Sequence, residues 1–171
     1  LNMPYITHQQ LLDRPGSREL AEVASDEAKD MVPYELMALT LSGGDRSAFD
    51  EEQVAHADEA LARIEDAVAD ADGVIDGYLR KAGYSLPLVP VPRLVVVWSR
   101  AITRYYLHKN RRSIESDDII VRDYKDALRL LEQTASGKLS LGADDEVVET
   151  GAGMPQVCKG SSRMRDALKD F

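Results

Sequence analysis

Between residues 54 and 78 apolar side chains recur at alternating steps of three and four, namely Val54, Ala57, Leu61, Ile64, Val68, Ala71, Ile75 and Tyr78. A turn of about 3.6 residues brings such positions onto one face, so the run predicts a long amphipathic helix. Asp50 and Gln53 have the spacing of a capping box at its start, and Gly83 supplies a stop. From Glu51 to about Lys81 that helix would be roughly 45 Å long at ~1.5 Å per residue, which makes it a spine for the rest of the chain.

Shorter patterns flank the spine. Thr7 and Gln10 form another capping-box pair ahead of Leu11 and Leu12, and Pro15-Gly16 ends that first helix. Ser17 is expected to cap a second helix carrying Leu20, Val23 and Ala24, and a third is expected from about Tyr34 to Leu41 with Pro33 in its first turn. Ser42 to Asp45 reads as a loop. After the spine, Leu86-Pro87-Leu88-Val89-Pro90-Val91-Pro92 cannot be helical and reads as an extended strap over a core. Arg93 then opens a helix whose expected buried face is Leu94, Val97, Trp98, Ala101, Ile102 and Tyr105. A polar loop from Lys109 to Glu115 leads to a last core helix, capped by Ser116, lined by Ile120, Tyr124, Ala127, Leu128, Leu131 and Ala135, and stopped by Gly137.

The fold class is therefore all-α, a helical bundle around one long helix over residues 3–142, with Leu61, Ile64, Val68, Ile75, Trp98, Tyr124, Leu128 and Leu131 expected inside. Residues 143–162 carry Asp144, Asp145, Glu146 and Glu149 among glycines and have little to bury, so 143–171 reads as a flexible acidic arm. Its last part, Arg163 to Phe171, regains a short amphipathic pattern with Met164, Leu168 and Phe171. The arm is expected to be loosely held in the isolated subunit and ordered by neighbouring copies. Docking on its own core, or a merely solubilising tail, stands as the alternative.

Composition narrows the function. The 171 residues suit one domain, and 30 acidic against 21 basic residues give a net charge of −9, which disfavours tight binding to nucleic acid or anionic membrane. The single cysteine, Cys158, rules out an intramolecular disulfide. There is no secretory signal pattern and no apolar run of membrane-spanning length, so the protein is expected to be made in the cytoplasm. Met3 reads as the natural start, with Leu1 and Asn2 ahead of it.

Catalytic chemistry is not apparent. His8, His56 and His108 are far apart and read as solvated histidines with no partner at metal-ligand spacing. Asp70 to Gly77 resembles a calcium loop only superficially, because Val74, Ile75 and Lys81 stand where ligands and the turn glycine belong, and its carboxylates read as the solvated face of the spine. An all-α nucleotide pyrophosphohydrolase would need organised acidic pairs for magnesium. Glu19 and Glu22 have the spacing, whereas Asp66 and Asp70 do not. The expectation is no enzyme, no cofactor and no metal. The one local reversal of the acidic balance, Lys109, Arg111 and Arg112, reads as cations complementing a helix C-terminus, and as a candidate contact to DNA or an acidic neighbour. With Met164, Leu168 and Phe171 these are the candidate interaction residues.

Several segments, in order, resemble the head-tail adaptor (connector) family of Mu-like tailed bacteriophages and prophages. They are Met3-Pro4-Tyr5-Ile6-Thr7, Ile75-Asp76-Gly77-Tyr78-Leu79, Leu86-Pro87-Leu88 with Val91-Pro92, Ala101-Ile102 with Tyr105 to His108, Arg122 to Leu128 running to Gly137, and Ser140-Leu141-Gly142. The resemblance implies a structural virion subunit that joins a homo-oligomeric ring of about twelve copies below the portal. Its implied partners are further copies of itself, the portal protein, a tail-completion or tail-terminator protein and passing DNA that is not specifically bound. The implied place is the virion, assembled in the bacterial cytoplasm, with no membrane. The family carries no catalytic residues, and Ser25 to Asp30 and the acidic arm depart from its pattern. A helical regulator that grips one protein partner remains the alternative.

Overall fold

The computed structural model describes residues 3–109 and 118–142. Among these it has six helices and no strand: α1 (His8–Asp13), α2 (Ser17–Ala24), α3 (Tyr34–Ser42), α4 (Glu51–Ala82), α5 (Arg93–Lys109) and α6 (Ile119–Ala135). The 32-residue α4 starts at the expected capping box, where the Asp50 carboxylate accepts from the Gln53 N–H and the Gln53 side chain accepts from the Asp50 N–H. It stops where Gly83 turns to φ 89°, so that Gly83 and Tyr84 donate back to the carbonyls of Arg80 and Leu79. That reversal places the chain in a left-handed conformation that suits glycine. Gly137 ends α6 in the same way, with Lys138 donating to Gln133.

Three helix starts differ from the sequence reading. Ser17 lies inside α2 rather than capping it, and Gly16 at φ 100° takes the cap position with no side chain to contribute. Pro33 stands at the cap of α3, one place before the first turn. The last core helix begins at Ile119, capped by the Asp118 carboxylate accepting from Ile120, while Ser116 falls outside the described residues. Asp118 has the extended backbone that a side-chain cap requires, whereas Gly16 holds a positive φ that suits glycine, and spacing alone reveals neither.

Two clusters of buried side chains share α4 as a common wall. The first gathers Ile6, ahead of α1, and Leu11, Leu20, Leu36 and Met37 from the N-terminal helices against Ala57, Ala60, Ile64 and Val68. The second gathers Trp98 and Ile102 from α5 and Ala127 and Leu131 from α6 against Ala71, Ile75 and Leu79. The strap crosses this second cluster, with Leu88 buried, Leu86 and Val91 packed on it and Val89 turned outward. Of the expected core, Ile64, Val68, Ile75, Trp98 and Leu131 are buried, whereas Leu61, Tyr124 and Leu128 are half-buried at its rim.

The face of α5 is turned from the expected one. Val95, Trp98, Ser99, Ile102 and Thr103 are buried, whereas Val97 is 45% exposed and Leu94, Ala101 and Tyr105 are half-buried. α5 is gripped by α4 on one side and α6 on another, and a small hydroxyl residue fits between closely packed helices when it has an acceptor. Ser99 has one in Asp72.

Candidate functional site

The spine carries polar groups inward where the sequence reading placed them in solvent. Asp72 and Asp76 are one helical turn apart and both buried. Asp72 accepts from the Tyr5 backbone N–H at 2.9 Å and from the Ser99 hydroxyl at 2.8 Å. Asp76 accepts from the Tyr5 hydroxyl and pairs with Arg80 at 3.3 Å. Burial raises the pKa of Asp72, with the neighbouring Asp76 adding to the rise and its two hydrogen bonds opposing it. Burial and the hydrogen bond to Asp76 also push the Tyr5 phenol upward. The pair clamps the N-terminal segment across α4. An i, i+4 pair in the sequence does not reveal this, because its partner lies 67 residues away.

A second node joins α2 to α5. Arg104 grips both oxygens of Glu19, its Nη2 donating at 2.8 Å, and His108 Nε2 lies 2.9 Å from the same carboxylate. Burial alone would raise the Glu19 pKa, but the hydrogen bonds from His108 and Arg104 outweigh it and bring it to about 2. Glu22 pairs with Arg18 across one turn. The two carboxylates named for the pyrophosphohydrolase alternative are thus held by separate basic partners. Among the described residues no group of three or more His, Cys, Asp or Glu side chains is arranged to hold a metal.

His56 and His108 are not solvated histidines. His56 is buried and its Nε2 accepts from the Asp26 N–H at 3.1 Å, while His108 packs on Glu19. A buried imidazole is tolerated because each finds a polar partner. His8 is half-buried, 3.2 Å from Glu65. The Ser25 to Asp30 segment is tied to the spine by that His56 contact, by Arg63 reaching the Ala24 carbonyl and Asp26, and by Lys29 on Glu59.

Of the candidate interaction residues only Lys109 is described. It is exposed at the end of α5, with its Nζ 4.3 Å from the Tyr106 ring centroid. It borders a hollow of about 600 Å³ whose charged lining includes Asp26, Arg63, Asp66 and Asp70. Arg111, Arg112, Met164, Leu168 and Phe171 lie outside the described residues. A second concavity of about 490 Å³ lies where α5 and α6 meet the α1–α2 turn, with Leu94, Val97, Trp98, Ala101 and Leu130 as its apolar lining and Arg14 and Glu19 among its charged lining. It follows from the turned face of α5 and was not part of the sequence reading. No described helix is long and apolar enough to cross a membrane.

Residues 5–158 match the family model described as Bacteriophage Mu, Gp36. Among curated proteins the chain is similar to the Mu-like prophage FluMu protein gp36 of Haemophilus influenzae, with 40% identity over 126 residues that cover 70% of this chain and 86% of the relative. It is also similar to gene product J of Escherichia phage Mu, with 34% identity over 96 residues covering 56% of this chain and 63% of that protein.

Proposed function

The chain belongs to the bacteriophage Mu Gp36 family, and from that premise we propose that it is a structural subunit of a Mu-like phage or prophage, the head-tail adaptor that forms a ring of about twelve copies below the portal. One observation carries this reading. The separate segments by which the sequence resembles the adaptors meet in one place, since Tyr5, Ile75, Leu79, Leu86, Leu88, Val91, Ile102, Tyr106, Tyr124, Ala127 and Leu141 all belong to or pack on the second cluster. What the resemblance tracks is the way α4, α5, α6, the strap and the N-terminal segment lock together, which is the requirement of a subunit that must present fixed faces to its neighbours. A net charge of −9 supports the same role, because a ring that DNA crosses should not hold it.

In this reading the protein has no catalytic step, and its partners are its own copies, the portal protein and a tail-completion or terminator protein. Removing the gene from an inducible prophage should leave DNA-filled heads without attached tails, and the purified protein should add back to complete them. Tailed, infectious particles formed in its absence would overturn the adaptor role, as would capture of the protein in a stable one-to-one complex with a host protein. Magnesium-dependent nucleotide hydrolysis that Glu19→Gln abolishes would point to the enzyme reading instead.

A further inference from the structure

The hollow where α5 and α6 meet the α1–α2 turn is balanced in charge at one end and unbalanced at the other. Around Arg104 the charges answer one another: Glu19 takes Arg104 and His108, Asp123 and Asp118 add to the field that keeps Arg104 protonated, and Asp126 pairs with Arg129. Around Arg100 they do not. Burial holds the Arg100 guanidinium below its usual pKa, Arg14 and Arg93 push it the same way, and Asp13 opposes them. Among the described residues none of these three arginines has an ion-pair partner. Two donors are left over as well. The Nε–H of Arg100 and the indole N–H of Trp98 find no acceptor among the described residues, and both side chains line the hollow. Trp98 is buried almost completely, and a buried donor without an acceptor destabilises the fold. Beside this corner lie Leu94, Val97 and Ala101, with Val97 exposed.

We infer that the Arg100 corner is a docking site for a single carboxylate on an aliphatic stem, an Asp or Glu side chain among leucine-like residues in a segment of a partner protein. A planar carboxylate suits the guanidinium fork and offers two oxygens to donors that lack acceptors. Its stem and neighbours would cover the apolar wall and exclude water from it. That wall runs from Leu94 to Ala101, about 10 Å along α5 at ~1.5 Å per residue, which is more than one small acid would cover and favours a peptide segment. A polyanion fits less well. Glu19, Asp123 and Asp126 line the same hollow and the chain carries a net charge of −9, so each further negative charge on the ligand is repelled. The inference stands apart from the adaptor reading, because it follows from groups within one subunit.

Nuclear magnetic resonance on the full, isotope-labelled chain tests it, since Trp98 is the only tryptophan and gives one indole N–H signal. The blocked peptide acetyl-Leu-Glu-Ala-Leu-amide should displace that signal and the Arg100 Nε–H signal saturably. Replacing its Glu by Gln, or Arg100 by Gln in the protein, should weaken binding at least about tenfold. The pair Arg14→Gln and Arg93→Gln, at exposed positions that leave the bundle intact, should weaken it in the same direction and holds the test open should Arg100→Gln disturb the fold. No saturable response, or an equal response to the Gln peptide, would overturn the inference. So would acetate binding as tightly as the peptide, because the apolar wall would then play no part, and so would inorganic phosphate binding more tightly, which would make the corner a phosphate site. Movement of the same signals with protein concentration alone, lost in Arg100→Gln, would put a second copy there and overturn the partner assignment.

Discussion

Along the first half of α4, around Ala57 to Val68, the neighbours are short helices from the first fifty residues, and apart from the buried His56 imidazole, which accepts from the Asp26 N–H, the ion pairs to that half of the spine lie at the outside. Lys29–Glu59, Arg63–Asp26 and Arg46–Asp58 are all about half-exposed. Along the second half, from Ala71 to Leu79, the neighbours are α5 and α6, and the polar links run through the interior by way of Asp72, Asp76, Tyr5 and Ser99. Exposed pairs contribute little each and are screened by salt. A buried carboxylate must be fully satisfied or it destabilises, so it admits one arrangement of its neighbours and penalises the rest. The first region is held by packing with charges as trim, whereas the second is specified from within.

The largest effects should come from the apolar wall that the regions share. Ile64→Ala and Ile75→Ala should each cost on the order of 2 to 5 kcal/mol, since both side chains are fully buried and each would leave a cavity. Because one unbroken helix serves both clusters, either change should move the whole unfolding transition. Trp98, the chain's one tryptophan, reports on the second cluster by fluorescence, and circular dichroism reports on all helices. The two urea curves should coincide in both variants. If Ile64→Ala shifts the circular dichroism curve and leaves the Trp98 curve in place, the regions unfold separately and the shared spine does not couple them.

Next in size is the contrast between interior and exterior carboxylates. Asp72→Ala strands the Tyr5 N–H and the Ser99 hydroxyl in the interior and should cost about 2 to 3 kcal/mol, at ~1 to 3 kcal/mol for each unsatisfied group less what relaxation recovers. Glu59→Ala removes a half-exposed partner of Lys29 and should stay below ~1 kcal/mol. Similar losses in the two variants, measured by urea titration, would erase the distinction drawn above.

Acid sharpens the contrast, because the two regions respond with opposite sign. Glu19 has a folded pKa of about 2 against an ordinary 4.5, so its contribution is complete above about 4.5 and is lost as pH falls through about 2. Asp72 has a raised pKa, so the folded state binds its proton more tightly, and its contribution is present at low pH and is lost as pH rises through that raised value. Glu19→Gln should therefore flatten the acid limb of the stability profile between about pH 4.5 and 2, an effect on the order of 2 kcal/mol. Asp72→Asn should leave that limb and lessen the decline on its alkaline side. A wild-type profile with the same slope after Glu19→Gln would show that the Arg104 and His108 contacts add no stability.

The same division separates what the sequence reveals from what it conceals. The apolar stripe of α4, its capping box and Gly83 are local signals, and they place the helix to within a residue. The strap and the start of α5 are equally local, since proline forbids the helix until Arg93. The turned face of α5 and the inward carboxylates are not. Val97 is as apolar as Val95, and only the positions of α4 and α6 decide which of them is covered. Asp72 reads as a surface residue until Tyr5 and Ser99 are brought to it from 67 and 27 residues away along the chain. The groove between α5 and α6 was hidden for the same reason, because it exists only where Val97 is left outside. Of the residues named from the sequence as interaction candidates, Lys109 alone falls among those described, in the last turn of α5.

The smallest expected effects discriminate within the first region itself. Lys29 and Arg63 both join the Ser25 to Asp30 segment to α4, and both are nearly half-exposed, so charge alone predicts equal and minor losses. Their partners differ. Lys29 meets the Glu59 carboxylate, and Lys29→Ala should change stability by no more than ~0.5 kcal/mol, with even that fading in high salt. Arg63 also donates to the Ala24 carbonyl at 2.8 Å, one of the last carbonyls of α2, which has no partner further along its own helix. Its removal uncaps that helix end beside the first cluster, so Arg63→Ala should cost about 1 kcal/mol and keep most of that cost in salt. Arg63→Lys should fail to restore it, because a single ammonium cannot reach the carbonyl and Asp26 together as the guanidinium fork does. Equal, salt-sensitive losses at Lys29 and Arg63 would mean that the segment is held by charge alone, and that the trim of the first region contains no cap.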